Sequence, residues 1–263
     1  MPDKENNKFD FAEQEKKLSN ERIKKAKQKL KNRFRKPEDN PVTYLEGLLM
    51  EENIPPHSIA ALQFLKNKTR QLYGTRRFEP EDLVSAASEI VGRNKVVPNW
   101  MNTGKLYTFR YWPDGFVDLN YFDMNPLIFI VDFESKYLWR GINMHYLDPN
   151  LRNKLYYDLR QWLTNRNYDQ GTRIRMFYQY LKRFKKYIPA LTAMRTYKVE
   201  RIRSEVTIIN PEYWDICINI PSQRWVKKRE NVVWHDTAKD IREKRLKFEP
   251  TYKVNIRQDD NYG

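Results

Sequence analysis

Cysteine is nearly missing from this 263-residue chain: Cys217 stands alone, which excludes an internal disulfide and any zinc site built from several thiolates. There is no glycine loop of the phosphate-cradling type and no GxSxG elbow. Long apolar runs are absent too. The longest, PLIFIV at 126–131, falls far short of the ~20 apolar residues needed to cross a bilayer, and the opening MPDKENNKFDF has no apolar core of signal-peptide length. The expectation is a soluble protein of a reducing, intracellular or particle-associated setting, with no membrane, metal or cofactor.

Negative charge is also in short supply. Against 49 Lys and Arg stand 34 Asp and Glu, a net +15, and self-repulsion of that size implies a polyanionic partner or an acidic neighbouring protein. With 40% hydrophobic residues over this length, the chain can bury a real core in one large or two small domains. Its 17 tyrosines and 14% aromatic content supply rings that fill a core in which aliphatic runs are few.

Four regions follow from the pattern. Residues 1–40 read as a basic arm, helical or disordered: Leu18, Ile23, Leu30 and Phe34 lie near one helical stripe, and Lys24, Lys25, Lys27, Lys29, Lys31, Arg33 and Arg35 surround it. So narrow a stripe orders only when docked on a partner. Residues 41–100 read as a small helical unit. Ser58 is positioned to cap a helix with Ile59, Leu62, Phe64, Leu65 and Leu72 as its apolar positions, and Pro80, Glu81 and Asp82 open a second helix. Residues 101–223 read as an α+β core, and 224–263 as a basic C-terminal, peripheral extension.

The core begins with an alternating strand at 105–112, which places Tyr107, Phe109 and Tyr111 on one side. Pro113, Asp114 and Gly115 then make a turn. The stretch 127–133 is apolar on both faces except Asp132, the mark of a central strand, and 137–146 is a further strand in which Gly141 signals a bulge or a close backbone contact. Asp148 and Pro149 cap a helix with Leu151, Leu155, Tyr156, Leu159, Trp162 and Leu163 at helical spacing. The next helix, about 170–187, carries Arg173, Arg175, Lys182, Arg183, Lys185 and Lys186. A strand is expected at 204–210, and the apolar run 214–220 is ambiguous. The fold class is α+β: a small antiparallel sheet or barrel-like core, packed helices, and basic extensions at both ends.

Two stretches, GKLYTFRY at 104–111 and GINMHYLDPNLR at 141–152, resemble the DNA end-protector family of T4-like tailed phages. Tyr121, Phe122 and Asp123 with Pro126, Leu127 and Ile128, the run from Pro211 to Trp214 ending at Ile220 and Pro221, and Trp234, His235 and Asp236 agree in order. The tag is Gly141, Asn143, His145, Tyr146, Pro149 and Arg152, expected to fix a strand-to-helix joint. The resemblance covers about 101–240, leaves out 41–100, and departs from the family around 121–127 and before Ser204. It implies a virion protein at the end of the packaged genome, shielding linear duplex DNA from exonuclease.

The residues themselves support binding better than catalysis. Asp123, Glu134 and Lys136 form a loose nuclease-like set, but Glu-x-Lys is common and here falls in a connection between strands. His57, His145 and His235 lack partners at ligand spacing, and His145 reads as a structural hydrogen-bonding residue. No catalytic residue is assigned. For DNA, the lysines and arginines of the arm and of the 173–186 helix would neutralise phosphates without reading sequence. The partners expected are double-stranded DNA ends or, if the chain is instead a neck, tail or baseplate adaptor, acidic surfaces of other virion proteins in a multi-subunit particle. The place expected is the virion, and the host cytoplasm during assembly.

Overall fold

The computed structural model describes residues 40–74, 103–163, 179, 181 and 185–248. The basic arm, the helix expected from Pro80 and most of the helix expected at 170–187 lie outside the described residues.

Helix α1 (Pro41–Glu51) starts where Asn40 Oδ1 accepts from the Val42 and Thr43 amides at 2.9 and 3.3 Å, with proline at the first position. Val42, Leu45 and Leu49 bury its inner face. Helix α2 (Ile59–Gly74) has the expected cap: Ser58 Oγ accepts from the Ala61 amide at 3.0 Å. Its buried face is Ala61, Leu62, Leu65 and Thr69, while Ile59, expected inside, is 65% exposed. Ile59 lies in the first turn, off that face.

The main sheet runs β5-β4-β3-β1-β6, every pairing antiparallel. Its strands are β1 (Leu106–Thr108), β3 (Leu127–Ser135), β4 (Leu138–Asn143), β5 (Met194–Lys198) and β6 (Thr207–Ile209). β2 (Phe122–Asp123) pairs separately with β7 (Trp225–Val226). The edges β5 and β6 do not join, so the sheet is open and the barrel-like form is set aside. β3 occupies the middle, and its period-2 alternation explains its continuous apolarity. Leu127, Phe129 and Val131 enter the larger core under the helices, and Ile128 and Ile130 enter a second, aromatic core with Tyr107, Phe109, Tyr111, Trp139 and Tyr197. There Phe109 and Tyr197 meet edge to face, centroids 5.5 Å apart.

The strand expected to run to Tyr146 stops at Asn143. Asn143 Oδ1 accepts from the His145 amide at 3.0 Å, a local turn that competes with the ladder and starts the 3-10 turn Met144–Tyr146. Gly141 faces Ile130 beside a register shift in β3. A Cβ on Gly141 would sit 2.9 Å from the Phe129 carbonyl oxygen, so the close backbone contact is real. Gly115 takes φ 58° at the expected turn.

Helix α3 (Pro149–Leu163) follows, with Asp148 Oδ1 accepting from the Asn150 and Leu151 amides. After α4 (Ile188–Thr192), β5 and β6, the ambiguous run resolves into helix α5 (Trp214–Asn219), all six of whose residues are buried. A helix buried all round shows no period, which is why its pattern is mute. The segment read as peripheral contains α6 (Glu230–Leu246), docked through Val233, Thr237 and Ile241. Trp234 Nε1 also donates to the His145 carbonyl at 2.9 Å.

Candidate functional site

The joint between β4 and α3 gathers a cluster of buried polar groups, Asp123, Asn125, Asn143, His145, Arg152 and Ser222. Gly141 lets β4 press on β3, and Asn143 then turns the chain so that His145 enters the core with no exposure. His145 Nδ1 donates to Asp123 Oδ2 at 2.6 Å, and its Nε2 accepts from Ser222 Oγ at 3.1 Å. Asp123 also accepts from the Asn125 and Arg224 amides at 3.0 and 3.1 Å and, more weakly, from Asn143 Nδ2 at 3.4 Å. Burial would raise the Asp123 carboxyl, but His145 and these amides outweigh it and hold the carboxyl below its ordinary value. Burial pushes the His145 imidazole down, against the pull of Asp123. The pair is therefore carboxylate and neutral imidazole, and the tautomer is set by Asp123.

Serine, histidine and aspartate in this order have the connectivity of a nucleophilic triad. Ser222 and His145 are both fully buried, so the chain of hydrogen bonds ties β2, the 3-10 turn and the segment before β7 together inside the core. Tyr146 continues the node: its ring meets Trp225 edge to face at 4.8 Å, and the Arg195 guanidinium lies 3.7 Å above its centroid. Arg152, 2% exposed, donates through Nε and Nη2 to the Leu147 carbonyl and through Nη1 to the Ile218 carbonyl. Burial lowers it to about 10, so it keeps its charge at neutral pH. Ser222 is the node member least visible in the sequence, having no pattern at all, while Asp123 enters there as part of the resemblance at 121–123 and as a carboxylate of a nuclease-like set.

Beside the node a cavity of about 700 Å3 opens between α2 and the core. α2 contributes Lys66, Asn67, Thr69 and Arg70, and the start of α3 contributes Pro149, Asn150 and Arg152. The remaining wall comes from Asn219, Pro221, Gln223, Glu230 and Trp234. Gln223 is 7% exposed; its Nε2 donates to Glu230 Oε2 at 2.7 Å and its Oε1 has no partner among the described residues. A carboxylate only accepts, so this bond fixes which end of the amide faces Glu230.

Of the basic residues expected to meet DNA, Lys24, Lys25, Lys27, Lys29, Lys31, Arg33, Arg35, Arg173, Arg175, Lys182 and Arg183 lie outside the described residues. Lys185 and Lys186 are described and exposed, in a 3-10 turn that ends on the buried Tyr187. The nuclease-like set does not converge: Asp123 is engaged in the node, Glu134 pairs with Arg140, and Lys136 Nζ lies 4.7 Å from the Tyr137 ring centroid. Among the described residues no group of His, Cys, Asp or Glu could hold a metal ion. Burial, with Asp215 beside it, pushes the Cys217 thiol well up, so it stays protonated. No described helix is long and apolar enough to cross a membrane.

No curated protein and no solved structure matches this chain. One family model does, over residues 83–240. The match begins earlier than the resemblance read from the sequence and spans the sheet, the buried node and most of α6, leaving α1 and α2 outside it. The match covers more than half of the chain, which therefore belongs to the family described as the phage T4 terminal DNA protecting protein.

Proposed function

We propose that this protein is a phage virion component that binds the ends of packaged linear double-stranded DNA, without sequence preference, and shields them from exonuclease. The family match over residues 83–240 carries the reading. The charge of +15 supports it, because phosphate neutralisation needs basic side chains at suitable positions and no base contacts. The basic side chains are the arm from Lys24 to Arg35, Arg173, Arg175, Lys182 and Arg183, and the exposed Lys185 and Lys186. The buried node supplies rigidity, tying β2, the 3-10 turn and the segment before β7 together.

Digestion of linear duplex DNA by a processive exonuclease, with and without the full-length protein, tests this. The protein lengthens the half-life of linear DNA and leaves nicking of closed circular DNA by an endonuclease unchanged. Equal degradation of linear DNA in both reactions overturns the proposal.

A further inference from the structure

The cavity against α2 has the chemistry of a receptor for one nucleotide. Its cations come from both sides of the boundary of the family match: Lys66 and Arg70 on α2, and Arg152 on α3. Lys66 Nζ is held by the neutral acceptors Gln63 Oε1 and Asn150 Oδ1 at 3.0 and 2.9 Å. Arg70 is exposed and pairs with no carboxylate among the described residues. Arg152 is almost wholly buried and gives three N–H groups to two backbone carbonyls. A guanidinium has five such donors, so one hydrogen on each Nη remains unused. The first amides of α3 are already taken by Asp148, and the helix end adds little.

The rest of the wall suits a base. Trp234 presents a half-buried ring to the cavity, a surface on which a base can stack. Gln223 Oε1 is a buried acceptor with no donor among the described residues; burial of such an atom is costly, and an exocyclic amine or ring N–H of a base would satisfy it. Phosphate alone would leave Trp234 and Gln223 unused, and an apolar ligand would leave three cations facing it.

The geometry points to this cavity as the receptor for the terminal nucleotide of a DNA end, its phosphate held by Lys66, Arg70 and Arg152 and its base set against Trp234 and Gln223. The inference rests on the DNA-end reading above. It also gives α2, which lies outside the family match, a part in recognising the end.

Binding of full-length protein to fluorescent duplexes of one sequence, ending in 5′-phosphate, 3′-phosphate or hydroxyl groups only, tests it. One of the phosphorylated ends binds about tenfold tighter than the hydroxyl end, the size of a charge-assisted contact. Lys66→Ala with Arg70→Ala, at a half-buried and an exposed position of α2, abolishes that difference and lowers binding to closed circular DNA far less. A mixture of deoxynucleoside monophosphates competes for the end, and inorganic phosphate at the same concentration competes less. Wild-type protein that binds all three ends alike, or a double variant that keeps the full preference, overturns the inference. Exonuclease protection separates the two readings: protection without phosphate preference removes this one alone, whereas loss of any protection removes both.

Discussion

At the scale of single residues, the hydrogen bonds around Asp123 decide more than their number suggests. Its oxygens satisfy the Asn125 and Arg224 amides, the His145 imidazole and Asn143, and all but the part-buried bond from Arg224 lie in the interior. Asp123→Ala strands these donors together and is expected to cost about 3–5 kcal/mol, the range for breaking a buried charged network from one side. Ser222→Ala removes one neutral hydroxyl from the far side of His145 and costs about 1 kcal/mol. Urea unfolding of the two variants measures the contrast, and equal losses would place the anchor of the node elsewhere. The same pair gives a pH dependence. His145 is depressed from 6.5 and Asp123 from 3.8, so the unfolded chain binds protons that the folded chain refuses. The His145 contribution is complete above about pH 6.5 and is lost as pH falls below it, and the Asp123 contribution is lost only below about pH 3.8. Wild type therefore loses more stability than His145→Gln between pH 7.5 and 5.5, measured as the shift in urea midpoint. A difference that does not change with pH would mean the imidazole is not held neutral.

At the scale of elements, legibility follows the physical source of the signal. β3 and α3 are readable because alternation and capping are local: Leu127 to Val131 fill two cores by turns, and Asp148 with Pro149 starts a helix wherever it stands. The end of β4 is not readable, since the strand pattern continues through Met144 and His145 and only the bond from the His145 amide to Asn143 ends it. α5 is hidden for another reason, being buried on every side. α6 looks peripheral because its many charges outweigh three well-spaced buried positions. The cavity is beyond sequence altogether, because it exists only where α2 meets α3 and the 219–234 wall. Glycine shows how context decides at this scale. Gly141 has a carbonyl oxygen 2.9 Å from where a Cβ would go, while Gly47 in α1 has nothing within 4 Å. Gly141→Ala should destabilise by about 1–3 kcal/mol through crowding of β3. Gly47→Ala should stabilise by about 0.5–1 kcal/mol through helix propensity and a less flexible unfolded chain. Thermal unfolding read on both variants gives shifts of opposite sign; shifts of the same sign would mean that β3 yields.

At the scale of the whole molecule, the proposed contact of basic side chains with phosphate has a consequence for salt. The described core carries its polar network inward, with Asp123, His145 and Arg152 all at least 97% buried, so salt does little to it. Lys24, Lys25, Lys27, Lys29, Lys31, Arg33 and Arg35 carry seven positive charges in the sequence, and in the proposed complex each phosphate they neutralise would release a counterion. Log affinity for duplex DNA then falls linearly with log salt, with a slope of about −0.9 for each phosphate engaged. Removing residues 1–36 is expected to flatten that slope by several units while retaining any preference for ends over closed circular DNA, because the cavity proposed to receive the end belongs to α2, α3 and the 219–234 wall. Titrations of full-length and shortened protein at a series of salt concentrations measure both quantities at once. An unchanged slope would assign the phosphate contacts to Lys185, Lys186 and their neighbours. Loss of the end preference together with the slope would mean that the arm, and not the cavity, distinguishes an end from the rest of the duplex.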